Sequence, residues 1–365
     1  MIIACHDHSY TYSSTIGFVI DRMNEMVKSR DFIVLVLLLG LLGCTNARPD
    51  IAIKEIGSFY IGGKEVSVSG QPVSEISTSP GMKPFKYDPN GQFEIGQTYV
   101  QFVKLAAATS KYPILMWHGG GLTGVTWETK PDGKPGWQQY FLSAGYDVYI
   151  SDSVERGRAT WSGLYNSSPI FRAKKEGWEL FRIGPPESYN ADMTKRVTYP
   201  GTQFPTEAFD QFAKEFTPRW LTNDAATLAG YQQLIDKVCP CIVIVHSQGG
   251  YFGYMAALNN PDKIKALIAL EPSAAPNAAT YDASKVKNVP ILTLWGDNIS
   301  GHPLWAGFTQ PSSKLRDAVK NAGGTFDWVS LPDKGLHGNT HMMMMDRNSD
   351  DIAAIVKTWL GEHGL

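Results

Sequence analysis

The chain has 365 residues, 43% of them hydrophobic and 19% charged, with a net charge of −2 at neutral pH. That length suits one large domain or two small ones with a sizeable buried core. The near-neutral balance, with no basic stripe, argues against nucleic acid as a partner.

Residues 1–44 read as a leader rather than as fold. The run 32–43, FIVLVLLLGLLG, is apolar, preceded by Lys28 and Arg30 and followed by Cys44. It is too short to span a bilayer but matches the apolar region of a signal peptide. Leu41-Leu42-Gly43-Cys44 resembles a bacterial lipobox, so export is expected, with Cys44 as a candidate site of lipid anchoring to the membrane. Cleavage without lipidation leaves a similar pattern, and Asp31 sits at the edge of the apolar run. Residues 1–25 carry no pattern, and Met23 and Met26 are alternative starts. Of the other cysteines, Cys5 falls in the leader, while Cys239 and Cys241 flank Pro240. A disulfide across one intervening residue would be strained, so the expectation is two buried thiols at the start of a strand. No Cys or His spacing suits a metal, and neither metal nor organic cofactor is expected.

Beyond the leader, residues 45–365 are expected to form one domain. The alternating segment 59–69 around Gly62-Gly63 reads as a β-hairpin. Strands follow at 99–105, 112–117 and 146–151, with a helix at 136–144 between the last two. Segment 159–221 is rich in Trp, Tyr, Phe, Pro and Gly and has no clean period, too long for a plain loop; it is read as an inserted cap. Regular order returns with a helix at 223–238, where Leu228, Tyr231, Leu234, Ile235 and Val238 share one face. Strand 242–245, helix 249–259, strands 266–270 and 289–295, helix 312–322, strand 326–331 and helix 350–360 complete the series. The alternation of strands and helices predicts an α/β fold, a mostly parallel sheet covered by helices on both faces.

Three stretches carry chemistry. In IVIVHSQGG an apolar strand delivers Ser247 to its carboxyl end, where open α/β sheets bind ligands. Gly249-Gly250 allow a helix to begin at once, and the N–H of Gln248 then points where an oxyanion would form. The first position of this turn is Val245, where Gly, Ala or Ser is usual. The competing reading makes Ser247 a helix N-cap. In ILMWHGGGLTG, His118-Gly119-Gly120-Gly121 follows an apolar strand, and Gly120 N–H is the candidate second oxyanion donor. In GLHGNTHMMMMDRN, His337 and His341 compete as base; His341, set against the methionine run, is favoured, and His337 reads as a turn or supporting residue. A serine hydroxyl needs such a base, and the base needs an acid to orient it. Asp297 in LWGDN and Glu271 in ALIALEPS both project from the carboxyl edge of the sheet, and spacing leaves both open.

The ordered set HGGG, HSQGG, ALEPS, LWGDN and HGNTHMMMMDRN resembles an α/β-hydrolase esterase. In particular it is similar to a small bacterial esterase group whose acid is a glutamate after the sixth strand. The stretches LTGVTWETKPDGKPGW (122–137) and HGNTHMMMMDRN (337–348) are the most specific part, and the likeness runs from about residue 58 to residue 360. It implies an α/β-hydrolase fold and a serine carboxylesterase acting on a small-molecule ester, without a cofactor. It further implies Ser247 as nucleophile, Glu271 as acid, His341 as base, and Gly120 and Gln248 as oxyanion donors, with Asp297 auxiliary. Members of the group carry two cysteines where Gly120 and Gly121 stand here. A lactonase, thioesterase or amidase with the same triad, or a non-catalytic lipoprotein that binds an apolar ligand, are the other readings of these motifs.

Overall fold

The computed structural model describes residues 50–164 and 167–365. The apolar run 32–43, Cys5, Cys44 and the alternative starts Met23 and Met26 lie outside the described residues. Among the described residues, no helix is long and apolar enough to cross a membrane.

Strand β1 (Ile53–Val68) leads to a small antiparallel hairpin, β2 (Ser74–Ile76) and β3 (Phe85–Tyr87), and β4 (Gly91–Leu105) then returns along β1. The main sheet continues with β5 (Ile114–Trp117), β6 (Val148–Asp152), β7 (Cys241–His246), β8 (Ile264–Leu270), β9 (Ile291–Trp295) and β10 (Phe326–Ser330). Its spatial order is β1-β4-β6-β5-β7-β8-β9-β10. The strands from β6 to β10 run parallel, and β4 is antiparallel to both β6 and β1. The N-terminal hairpin is present, but its turn is not at Gly62-Gly63. β1 runs on through that pair, both at positive φ: a Cβ on Gly62 would stand 3.1 Å from Gly230 Cα of the crossing helix α5 (Asp224–Val238), and one on Gly63 would stand 3.0 Å from Ile95 O of β4.

Helices α1 (Val125–Glu128) and α2 (Trp137–Ser143) precede β6, and α3 (Lys174–Leu180) and α4 (Phe209–Phe212) lie in the long segment after it. α5 leads to β7, α6 (Gly249–Asn259) follows β7, α7 (Pro303–Asn321) follows β9, and α8 (Ser349–Glu362) closes the chain. α7 starts earlier than the expected 312: Pro303 occupies its first turn, His302 Nδ1 accepts from Leu304 N–H at 3.3 Å, and Pro311 is carried inside the helix. Both faces of the central strands are buried, as parallel sheets require. Ile242 and Ile244 of β7 pack with Trp137 and Phe141 of α2 and Ile352 and Val356 of α8. Val243 and Val245 pack on the other side with Leu234 of α5, Phe252 of α6 and Leu315 of α7. Each such side chain contributes about 1.5–3 kcal/mol when fully buried.

The cysteine expectation is corrected: Cys239 and Cys241 form a disulfide. The two Cα atoms stand 4.4 Å apart across Pro240, at the short end of the range a disulfide spans.

The branched side chain of Val245 has a specific accommodation. A Cβ on Gly253 of α6 would stand 2.9 Å from Val245 Cγ1 and 2.9 Å from Leu267 Cδ1. Glycine at 253 thus leaves the room that a small residue at 245 leaves elsewhere. Gly253→Ala is expected to destabilise the fold by about 1–3 kcal/mol through overpacking, and adding Val245→Ala to recover most of that loss, read by urea unfolding of both variants.

Candidate active site

Ser247 lies in the turn between β7 and α6 with φ 54°, a left-handed conformation that a residue with a Cβ adopts rarely and at a cost. The turn is held from the neighbouring strand end. Ser247 N–H donates to Leu270 O at 3.0 Å, and Ser247 O accepts from Gly250 N–H at 2.9 Å and Ser273 N–H at 3.1 Å. Gly250 is required there, since a Cβ would come within 2.3 Å of Pro272 Cβ. Ser247 is not the helix N-cap: that position falls to Gln248, and no side chain caps the helix.

The glycine loop after β5 lies against this turn. A Cβ on Gly119 would stand 2.9 Å from Ser247 Cβ and 2.8 Å from His246 Nδ1. One on Gly120 would stand 2.9 Å from Gln248 Oε1 and 2.9 Å from Arg219 Nη1. Gly120 and Gln248, the two candidate donors, are therefore brought together beside the serine. His118 fastens the loop: its Nε2 accepts from Ser153 N–H at 3.1 Å, so Nδ1 carries the proton and donates to Gly119 O at 2.8 Å. Burial pushes His118 down to about 4, and it stays neutral. Thr217 N–H donates to Gly121 O at 3.0 Å, which ties the loop to segment 159–221.

Of the two histidines, His341 is buried and His337 is exposed. His341 Nδ1 lies 2.7 Å from Glu271 Oε2, so this nitrogen donates to the carboxylate and Nε2 is left as the basic atom. Its ring stands 4.4 Å from that of His246, 4.2 Å from Trp305 and 5.4 Å from Phe181. Phe181 O accepts from His341 N–H at 2.9 Å, and His341 O accepts from His246 Nε2 at 2.9 Å. Burial, and then the charges of Arg182 and Arg172, hold His341 well below the usual histidine range.

Glu271 is fully buried, with φ 42°. Its second oxygen, Oε1, accepts from Gly296 N–H at 2.6 Å and from the Arg182 guanidinium. Asp297 stands apart from His341. Its oxygens accept from Asn298 N–H at 2.7 Å and Gly338 N–H at 2.9 Å, and His337 Nδ1 is 3.7 Å away. Asp297 and His337 thus shape the foot of the base loop. The loop's inner side is held by Asp346, which accepts from Thr340 N–H and Thr340 Oγ1, both at 2.8 Å, and from Asn339 Nδ2 at 3.0 Å. Burial pushes this carboxyl up to about 7. Met342, Met343, Met344 and Met345 are all buried in the core beneath it.

This geometry has close relatives. A solved structure described as "The Atomic Resolution Structure of a Novel Bacterial Esterase" is 31% identical, covers 87% of this chain and 98% of the other, and superposes with a TM-score of 0.73. The chain belongs to the α/β-hydrolase-fold esterases. This esterase is also 26% identical over 336 residues to "Probable secreted lipase phiG" of a fungal species (strain ATCC 74256), covering 74% of this chain and 87% of the relative. No protein-family model matches the chain.

Two parts of the esterase's site had no signal in the sequence reading. Arg182, from segment 159–221, reaches Glu271 from a stretch without periodicity, and its Nε also donates to Asp297 O at 2.8 Å. Asp346 sits in the HMMMMDRN motif, but only the fold shows that it faces inward. The Arg182–Glu271 pair is fully buried on both sides. Removing one partner strands the other charge, so Arg182→Met is expected to cost about 3–5 kcal/mol in denaturant unfolding. The double variant Arg182→Met/Glu271→Leu is expected to regain most of that loss.

Proposed function

We propose that this esterase hydrolyses carboxylic esters through an acyl-enzyme on Ser247, with His341 as base and Glu271 as acid. The observation that carries the reading is the buried His341–Glu271 bond of 2.7 Å on the serine's side of the sheet edge. Ser247 Oγ attacks the ester carbonyl while His341 Nε2 takes its proton. The tetrahedral oxyanion is received by the N–H groups of Gly120 and Gln248. His341 then protonates the leaving alcohol, and the same base activates water to release the acid. Glu271 keeps the ring in the required tautomer and stabilises the imidazolium while it lasts. Segment 159–221 acts as a cap over this centre.

We also propose that the protein works outside the cytoplasm. The apolar run 32–43 and the similarity to a lipase described as secreted support that location. Attachment of a lipid at Cys44 would place it on the cell envelope.

Ser247→Ala is expected to lose at least about a thousandfold in 4-nitrophenyl ester turnover and all labelling by a fluorophosphonate, with an unchanged circular dichroism spectrum. Turnover retained by that variant would sink the proposal. Glu271→Gln is expected to lower kcat far more than Asp297→Asn; the reverse order would make Asp297 the acid. The pH dependence has a definite sign. His341 works as the neutral base, and its affinity for a proton is depressed, so activity is lost only as pH falls through a value below 6.5. The acid limb of kcat/KM is therefore expected to have its midpoint under 6.5.

A further inference from the structure

Two arginines stand against the glycine loop and a third stands near one of them, and the acyl-transfer steps use none of the three. Arg219 Nη1 stands 2.9 Å from the point a Cβ on Gly120 would occupy, and Arg172 Nε 3.4 Å from the corresponding point on Gly121. The Arg172 guanidinium also lies 4.8 Å from the Phe181 ring, which packs against His341. Arg156, just beyond β6, belongs to the same group: burial and then the charge of Arg219 lower its proton affinity.

Their donors are not all used. Nε and Nη1 of Arg156, Nε of Arg172 and Nε of Arg219 are buried without a hydrogen-bond partner among the described residues. Arg156 is only 3% exposed. Buried donors of this kind are rare in folded proteins and point to an acceptor supplied from outside. The carboxylates nearby do not fill the gap. Glu176 pairs with Nη1 of Arg172 at 2.7 Å, while Asp224 and Glu155 act on the group only through their charge. A small cleft lined by Gly121, Phe171, Arg172, Glu176, Thr217 and Arg219 opens onto two of the three guanidinium groups, and Glu176 in its wall is already paired with Arg172. The planar arginine fork matches the two oxygens of a carboxylate.

We infer that this arginine group receives a carboxylate of the substrate, so that the preferred substrates are esters carrying a second, ionised carboxyl group a few atoms from the scissile carbonyl. Gly119 touches the serine and Gly120 touches Arg219, which sets that short spacing. The inference rests on Ser247 as the nucleophile, and its test separates the two.

Hydrolysis of 4-nitrophenyl hydrogen glutarate is compared with that of the neutral 4-nitrophenyl pentanoate. The wild type is expected to favour the anionic ester at least about tenfold in kcat/KM, the scale of one charge-assisted hydrogen bond, mostly through KM. That ratio is expected to fall towards one in Arg219→Gln and in Arg156→Gln, and to recover in part in Arg219→Lys. Equal or reversed preference in the wild type, or a ratio that neither glutamine variant moves, overturns the inference while leaving ester hydrolysis intact. Calorimetry of glutarate with the Ser247→Ala protein reads the same site without turnover. Binding there that disappears in Ser247→Ala/Arg219→Gln supports the anion site even if no ester is cleaved, and no binding overturns it.

Discussion

The site depends on how a carboxylate is accommodated inside the protein. Glu271 has no exposed surface, and an isolated buried carboxylate would be neutralised or would unfold the region around it. Arg182 and the Gly296 N–H meet one oxygen, and His341 meets the other. The pairing does more than hold the charge. A guanidinium on one oxygen draws part of the negative potential away from the imidazole, and together with burial it holds the proton affinity of His341 down. Orientation of the ring and restraint of its basicity thus come from one buried set of three groups.

That arrangement links segments far apart in the chain. Arg182, Phe181 and Arg172 come from the segment between β6 and α5, and all three bear on His341. Gln203 N–H donates to Gly338 O at 2.8 Å, and Arg347 N–H to Gln203 O at 2.8 Å, so the same segment is stitched to the base loop by its backbone. An aromatic cluster of Trp178, Phe204, Phe209 and Phe212 fills the space behind it. The four methionines below supply unbranched, adaptable side chains, which suit an irregular contact between a loop and such a cluster.

Much of the fold was legible because its strands are short apolar runs and its helices keep one apolar face. Ser247, the glycine loop and the two candidate acids Glu271 and Asp297 stand out because backbone demands leave marks: paired glycines where a Cβ would clash, and polar residues at the ends of buried strands; the preference for Glu271 comes from the resemblance alone. Other features left no such mark. Gly62-Gly63 reads as a turn, yet Gly62 makes room for Gly230 of α5, far along the chain, and Gly63 for the backbone of the paired strand β4. Pro311 sits inside α7, so that helix begins before the expected 312. The Cys239–Cys241 bond depends on the close approach of the two Cα atoms, which spacing does not reveal. Arg182 could not be read at all, because nothing local distinguishes an arginine that meets a buried glutamate from one in solvent.

The hydrogen bond from Thr217 to Gly121 has a bearing on modularity. Insertions in this type of fold are natural places for sequence to drift, since they lie outside the sheet. Here segment 159–221 donates to the glycine loop, pairs with Glu271 and packs on His341. Its freedom to diverge is therefore confined to its outward side, around residues such as Trp161 and Val197, which are exposed. Grafting the segment between relatives would transplant the partners of Glu271 and His341 along with its outer surface, so on the proposed mechanism specificity and chemistry in this chain are inherited together.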